Sequence, residues 1–321
     1  MNADWRPTAT RRTLEVRAGM LARARAFFAE RGVLEVDTPI LGAGGTTDPQ
    51  IESLLTQVRG IDAPRYLATS PEFAMKRLLA AGSGAIYQIG KVFRDEEYGR
   101  WHNPEFTMIE WYRPGLTDGG LMSEVEALVG ALLAPHRPVR AAERVTYAEA
   151  LRRHAGVDGA TASVAELRRA AVAHGIVCDA ALDRDAALDL LMGLVVGPRL
   201  GRAAPCFVTD YPASQASLAR LKPGDPPVAA RFELYLDGIE LANGFHELSD
   251  AQEQRARFAA DLRLRRERGQ RLPAVDERLL DALAAGLPDC AGVALGFDRL
   301  LALAIGAAAL ADALAFPIDR A

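Results

Sequence analysis

Cysteine is scarce in this chain: Cys178, Cys206 and Cys290 are the only three. They stand far apart, and no pair has metal-ligand or redox spacing. Neither a disulfide framework nor a zinc ribbon organises the fold, and a reducing compartment is expected. Lysine is nearly missing too. Of 38 basic residues only Lys76, Lys91 and Lys222 are lysine, a bias that accompanies abundant alanine and carries no functional weight. There is no excess of positive charge, the net formal charge being −4, so no global field draws in nucleic acid. Long apolar runs are absent. The longest, Leu300 to Leu314, is interrupted by Gly306 and Asp312 and is too short for a bilayer, so it reads as a buried helix and no membrane association is expected. The opening residues MNADWRPTATRR lead into no apolar segment, which argues against a secretory signal. No serine, cysteine or histidine is visibly arranged with a base as a nucleophile. Nor does a Walker lysine follow a glycine-rich loop.

What the chain does have is a stretch from Ala85 to Arg113, AIYQIGKVFRDEEYGRWHNPEFTMIEWYR. It reads as a strand, a charged loop and a second strand. In the second strand Phe106, Met108, Glu110 and Tyr112 alternate with Thr107, Ile109, Trp111 and Arg113, so period two sets the first four on one face. With Arg94 and Glu96 on the facing end of the partner strand, that face would offer a cation, carboxylates and aromatic rings to a planar, charged ligand.

Around it the chain reads as α+β. Thr13 to Arg31 has helical spacing with Gly32 as its stop, and VLEVDTPIL is a short strand ending at Pro39. A second helix follows Ser70 and Pro71, and Leu116 to Leu133 is a third. Ala141 to Arg202 is largely helical. Arg231 to Leu241 is a hairpin turning at Asp237-Gly238. Ser249 is placed to cap a long polar helix reaching Gly269, with Gln252 completing a capping box. The arginines in the last turns of that helix (Arg263, Arg265, Arg266, Arg268) suit a solvated face. The predominance of hairpins over strand–helix alternation points to an antiparallel sheet flanked by helices.

Four clusters carry candidate chemistry: Ser70-Pro71-Glu72; the charged loop with Arg94, Asp95, Glu96, Arg100, His102, Asn103, Phe106 and Tyr112; Glu240, Asn243 and Glu247; and Ala294, Gly296 and Arg299. Arginine, carboxylate and glycine suit a reaction that must bring two anions together, such as a carboxylate attacking the α-phosphate of ATP. The nucleophile is already ionised, so the needs are charge cancellation, Mg²⁺ on the phosphates and in-line positioning. Arg94 can bridge carboxylate and phosphate with its planar fork. Glu240, with Glu247, can hold Mg²⁺ by hard oxygen ligation. Gly296 lets backbone approach the nucleotide, and Arg299 can cover the adenine opposite Phe106.

FRDEEYGRWHNPEFTMIEWYR resembles motif 2 of class II aminoacyl-tRNA synthetases, in the lysyl branch. The segment at about 290–306 resembles motif 3, and the one at about 13–41 resembles motif 1, the dimer element. The resemblance implies a single synthetase-like catalytic domain over 1–321, with motif 2 at about 85–113 and a helical insertion at about 141–202. Two departures stand out. Only about a dozen residues precede motif 1, which leaves no room for an N-terminal OB-fold. Ala294 also stands where lysyl-tRNA synthetases typically have glycine.

Both departures, with ASQASLA and ELANGFHEL, resemble the elongation factor P–(R)-β-lysine ligases, stand-alone paralogues of lysyl-tRNA synthetase. That family activates (R)-β-lysine with ATP and passes it to a lysine ε-amine of elongation factor P. Carried over, Glu72 binds the amino group next to the backbone, Glu247 and Tyr112 the distal ammonium, and Asn243 the carboxylate. Arg94, Glu96, Asn103 and Phe106 hold ATP, with Arg100 and His102 nearer its phosphates. Glu240 and Leu241 line the nucleotide and metal site, and Gly296 and Arg299 close over the adenine. The resemblance further implies a cytoplasmic homodimer that needs no tRNA. Two other readings stay open on the residues alone. One is a truncated lysyl-adenylate-forming ligase with another acceptor, the other a non-catalytic amino-acid-binding regulator.

Overall fold

A computed structural model describes residues 5–179 and 182–321; the first four residues of the opening stretch lie outside them. The elements that carry the site are α1 (Arg11–Ala29), β1 (Leu34–Glu35), α2 (Glu72–Ala80), β2 (Ile86–Phe93), β3 (Glu105–Pro114), β4 (Cys206–Pro212), β5 (Val228–Leu236), β6 (Ile239–His246), α3 (Ala251–Glu267), β7 (Cys290–Gly296) and α4 (Phe297–Ile305). The chain packs as two compact units. One takes the chain up to Leu116 together with Ala127–Arg137 and Ser249–Ala321. The other takes Thr117–Glu126 and Pro138–Leu248, a span that includes the stretch at about 141–202.

In the first unit β3 lies between β2 and β7, antiparallel to both, and β1 adds a parallel edge to β2. Of VLEVDTPIL, Leu34–Glu35 is strand and the last residue, Leu41, opens a separate short strand, Leu41–Gly42. One further ladder bond, Val36 N–H to Tyr87 O, follows Leu34–Glu35 before Pro39 interrupts the run. Helix α1 starts at an N-cap, Thr10, whose side chain accepts from Thr13 N. It buries Val16, Met20, Ala24, Phe27 and Phe28, the positions a 3.6-residue period brings to one face. Phe28 stacks on Tyr87 at 4.2 Å and meets Trp111 edge-on at 5.4 Å. This face of β2 and β3 is therefore core, which leaves the Glu110 face to chemistry.

One buried carboxylate ties the three recognised segments together. Asp298 at the start of α4 accepts Arg17 Nη1 of α1 at 2.5 Å through Oδ1, and Thr107 N of β3 at 2.6 Å through Oδ2. Arg17 Nη2 donates to Thr107 Oγ1 at 2.6 Å, closing the triangle.

Helix α3 departs from the expectation in two places. Its N-cap is Asp250, which accepts from Gln252 N and Glu253 N, so Ser249 stands one residue outside. Arg265 does not join a solvated arginine face, because it is 1% exposed. Its two Nη atoms grip Glu52 Oε2 at 2.8 and 2.9 Å, and Nη2 also donates to Ile51 O. A paired guanidinium tolerates burial where an unpaired one would not. Glu52 O in turn accepts Asp95 N, so α3 braces the start of the charged loop.

The same helix holds a titrating carboxyl. Asp261 accepts Thr47 Oγ1 at 2.8 Å. Burial pushes its pKa from 3.8 up to about 6, against the pull of the Thr47 hydroxyl and with Asp48 adding to the rise. A carboxyl that holds its proton more tightly when folded adds stability below the unfolded pKa and loses it as pH rises through 6. Asp261→Asn cannot ionise and still accepts the threonine hydroxyl. It should stabilise the protein at pH 8 by on the order of 1–3 kcal/mol and change little at pH 4. Urea titrations at both pH values check this; an equal gain at both would refute it.

In the second unit β5 lies between β4 and β6, antiparallel to each, and Glu143–Thr146 pairs parallel with β4. Asp237 and Gly238 turn the β5–β6 hairpin with φ of 54° and 79°, the two positive values that a type I′ turn requires. Beneath the turn Gly201 has φ 69°, and a Cβ there would stand 2.5 Å from Tyr235 O, so no side chain fits that crossing.

Candidate active site

The alternation of β3 survives in the structure, and its neighbours complete the rows. Gln88, Glu110 and Ala294 lie abreast; so do Gly90, Met108 and Gly296, and so do Ile86, Tyr112 and Gly292. Glycine and alanine on the flanking strands leave this face low in side-chain volume around Glu110. Glu110 is 2% exposed and accepts the Tyr112 hydroxyl at 2.7 Å on Oε1 and the Ser70 hydroxyl at 2.7 Å on Oε2. Ser70 Oγ accepts Glu72 N at 3.0 Å. The Ser70-Pro71-Glu72 turn is thereby fastened to the sheet face, with Pro71 as the N-cap of α2. Glu110 stood on the reading face in the sequence but was not among the candidate ligands. Its two hydroxyl donors make it the hub that orients two of them.

Glu72 occupies the first turn of α2, and its Oε1 lies 2.6 Å from Lys76 Nζ, which is 1% exposed. A buried ammonium next to the carboxylate leaves a nearly neutral pair. Glu72 therefore offers an oriented acceptor rather than a bare negative charge.

The charged loop gathers the cations. Arg94 is anchored through its backbone N–H to Pro104 O, and its guanidinium lies 5.3 Å from the Phe106 ring. Asp95 Oδ1 accepts Glu96 N at 3.0 Å, and Glu96 has φ 65°. Arg299 Nε donates to Trp101 O. His102 approaches Glu97 at 3.2 Å. Its pKa is lowered by burial first and then by the Arg299 and Arg94 charges, with Glu97 opposing. Burial and the two arginines thus favour the uncharged imidazole, which meets Glu97 as a hydrogen-bond partner. The charges of both arginines reach the one histidine.

Two members of the expected nucleotide set also brace the loop. Arg100 Nε donates to Ala308 O, and Arg100 O accepts Leu310 N. Asn103 is 7% exposed; its Nδ2 donates to Glu105 O and its Oδ1 accepts Ile318 N. Each end of that amide bonds backbone, so Asn103 staples the loop to the C-terminal segment.

In the second unit strict alternation would send Glu240 and Asn243, three residues apart, to opposite faces. The β5–β6 register shifts between Leu234 and Tyr235: Tyr235 faces Glu240, Leu234 faces Ala242 and Glu233 faces Asn243. Leu241 is the extra residue of a β-bulge, which returns Glu240 and Asn243 to one face with Arg231, Glu233 and Tyr235. Leu241 itself is 2% exposed, so its side chain is packing. Glu247 follows the strand end, is 1% exposed, and forms an isolated bridge with Ala219. Among the described residues no group of three or more His, Cys, Asp or Glu side chains could cage a metal. Glu240 suits Mg²⁺, which takes one or two carboxylates and completes its shell with phosphates and water. Glu247, seven residues on along extended chain and so roughly 20 Å away, does not reach the same ion.

A family model described as tRNA synthetases class II (D, K and N) matches residues 2–320. Among curated proteins, the elongation factor P–(R)-β-lysine ligase of Vibrio cholerae is 49% identical over 326 residues, covering 100% of this chain and 99% of that protein. The ligase of the same name from Yersinia enterocolitica is 50% identical over 325 residues, with 99% of each chain covered. That of Salmonella paratyphi B is 49% identical over 325 residues, again with 99% of each covered.

Proposed function

Since the chain belongs to the class II tRNA synthetases of the D, K and N group, we propose that it is an ATP-dependent ligase that activates (R)-β-lysine and transfers it to a lysine of elongation factor P. In the first step a carboxylate oxygen attacks the α-phosphorus of ATP, and pyrophosphate leaves. In the second an ε-amine attacks the acyl carbon of the mixed anhydride, a proton is lost from the new amide nitrogen, and AMP leaves.

The observation that carries this reading is the small-residue face of β2, β3 and β7, where Gly90, Met108 and Gly296 lie abreast, with the Arg94 guanidinium 5.3 Å from the Phe106 ring and Arg299 tied to Trp101 O of the same charged loop. Two guanidiniums beside an aromatic platform cancel the repulsion between carboxylate and triphosphate. A neutral His102, whose one N–H donates to Glu97, adds no third cation beside the phosphates. Mg²⁺, which supplies further charge neutralisation on the phosphates when bound, would be held by Glu240. Tyr112, held by Glu110, and Glu247 would take the distal ammonium. Glu72 would take the nearer one and Asn243 the carboxylate.

Ala294 sits abreast of Glu110 and sets the depth of the floor. Ala294→Gly should shift the ratio of kcat/KM values toward α-lysine by about tenfold, as expected for one methyl in a pocket. Competition between the two isomers in adenylate formation checks this.

The reading includes a homodimer and an acceptor other than tRNA. Leu34, Ile40 and Leu41, in the motif 1 segment, are 59%, 43% and 45% exposed, which supports burial against a second copy. Among the described residues no helix is long and apolar enough to cross a membrane; Cys178, Cys206 and Cys290 form no disulfide, which suits a reducing, cytoplasmic site of action. ATP–pyrophosphate exchange by the purified protein tests the first step. It should be stimulated more by (R)-β-lysine than by α-lysine. Efficient charging of tRNA(Lys) would overturn the reading.

A further inference from the structure

The second unit contains a guanidinium with no part in the scheme above. Arg231 on β5 has a side chain 18% exposed and is held on four sides. Nε donates to Asn243 Oδ1 at 3.2 Å, Nη1 to Gln215 O at 2.8 Å and Nη2 to Glu233 Oε1 at 2.6 Å, while its plane covers the Tyr211 ring at 4.4 Å. The holders are themselves held. Glu233 accepts the Tyr235 hydroxyl at 2.7 Å, and Gln215 Nε2 donates to Asp189 Oδ1 at 2.8 Å.

We propose that Arg231 is a positioning residue for the reaction, locking the Asn243 carboxamide with its oxygen inward so that its NH₂ end faces the substrate carboxylate. The argument is one of donor and acceptor counting. A guanidinium has only donors, so of the two ends of the amide only the oxygen can meet it. Among the described residues Nδ2 has no hydrogen-bond acceptor. It keeps two N–H donors, the groups a carboxylate requires. Without Arg231 the amide can rotate by half a turn and present its oxygen to that carboxylate, which repels it. The bulge at Leu241 belongs to the same device, because it brings Asn243 onto the Arg231 face at all.

This inference rests on the proposed role of Asn243, and its test separates the two. Isothermal titration without ATP compares (R)-β-lysine with pentane-1,4-diamine, the same molecule lacking the carboxylate. In Arg231→Lys a single ammonium can neutralise Glu233 but cannot also reach Asn243 and Gln215 O. (R)-β-lysine should bind about tenfold more weakly, one well-made hydrogen-bonded contact, while the diamine binds as before. Its unchanged affinity also reports an intact site. Asn243→Asp keeps an oxygen toward Arg231, gains an ion pair, and turns the other oxygen to the ligand. It should lose more than tenfold in (R)-β-lysine affinity with no loss for the diamine, and this variant does not depend on removing a buried charge. Unchanged amino-acid affinity in both variants would overturn the positioning role while leaving the ligase reading intact. A wild-type protein that binds and activates no lysine isomer would instead sink the ligase reading.

Discussion

Arg94→Ala should lower the rate of ATP–pyrophosphate exchange by about 10³-fold while leaving the fold unchanged. The expected magnitude follows from the job: one fork that neutralises both reacting anions in the transition state is worth what an oxyanion donor or a transferred-phosphoryl arginine is worth. Its environment makes the substitution clean. The backbone at Arg94 is fixed through its N–H to Pro104 O, a bond alanine keeps, and the side chain's contacts include one long hydrogen bond, Nε to Thr69 O at 3.4 Å, and the Phe106 ring at 5.3 Å. Thermal unfolding should therefore match the unsubstituted protein. Arg94→Lys should recover little, since a point charge cannot hold carboxylate and phosphate together. Full activity in Arg94→Ala would favour a protein that binds an amino acid without activating it.

Asp298→Ala should be the most destabilising single change among the residues discussed, at about 3–5 kcal/mol. Its side chain is 2% exposed, and it accepts from Arg17 and from the Thr107 backbone. Removing it strands a partly buried guanidinium and a backbone N–H together. Because the carboxylate joins α1, β3 and α4, the loss should appear as a lower urea midpoint with one transition. Pairing it with Arg17→Met should restore part of the loss, since the second change removes the uncompensated charge. A double-mutant cycle reads this coupling. If Asp298→Ala costs less than 1 kcal/mol, the clamp does not hold the motifs in register.

How much of this was legible beforehand differs from element to element. The β3 alternation was readable because both its faces are set by neighbours at period two, and the structure keeps it residue by residue. The tie between motif 2 and motif 3, Arg299 Nε to Trp101 O, joins segments that motif order singled out. The β-bulge at Leu241 had no signal in the sequence: it depends on which residue of β5 faces which residue of β6, and pairing register is a property of two strands. Arg265 was misread as solvated for a related reason. Arginines at the end of a helix look alike until a carboxylate from elsewhere, here Glu52, is folded against one of them. The Lys76–Glu72 pair was visible as an i,i+4 spacing, but the burial that makes it matter was not. Asp250 and Ser249 are both good N-caps, and local sequence does not choose between neighbours. Across these cases, periodic patterns and motif chemistry carried over, and partners distant in sequence did not.

The central claim, that two anions are joined here so that an activated β-lysine can be passed to a protein amine, is tested most directly by intact mass. Elongation factor P is incubated with the purified protein, ATP and each lysine isomer in turn. The account predicts a gain of one lysyl residue on elongation factor P with (R)-β-lysine, a smaller fraction modified with α-lysine, and no gain without ATP. An unmodified acceptor under every condition, alongside efficient aminoacylation of tRNA(Lys), would contradict it.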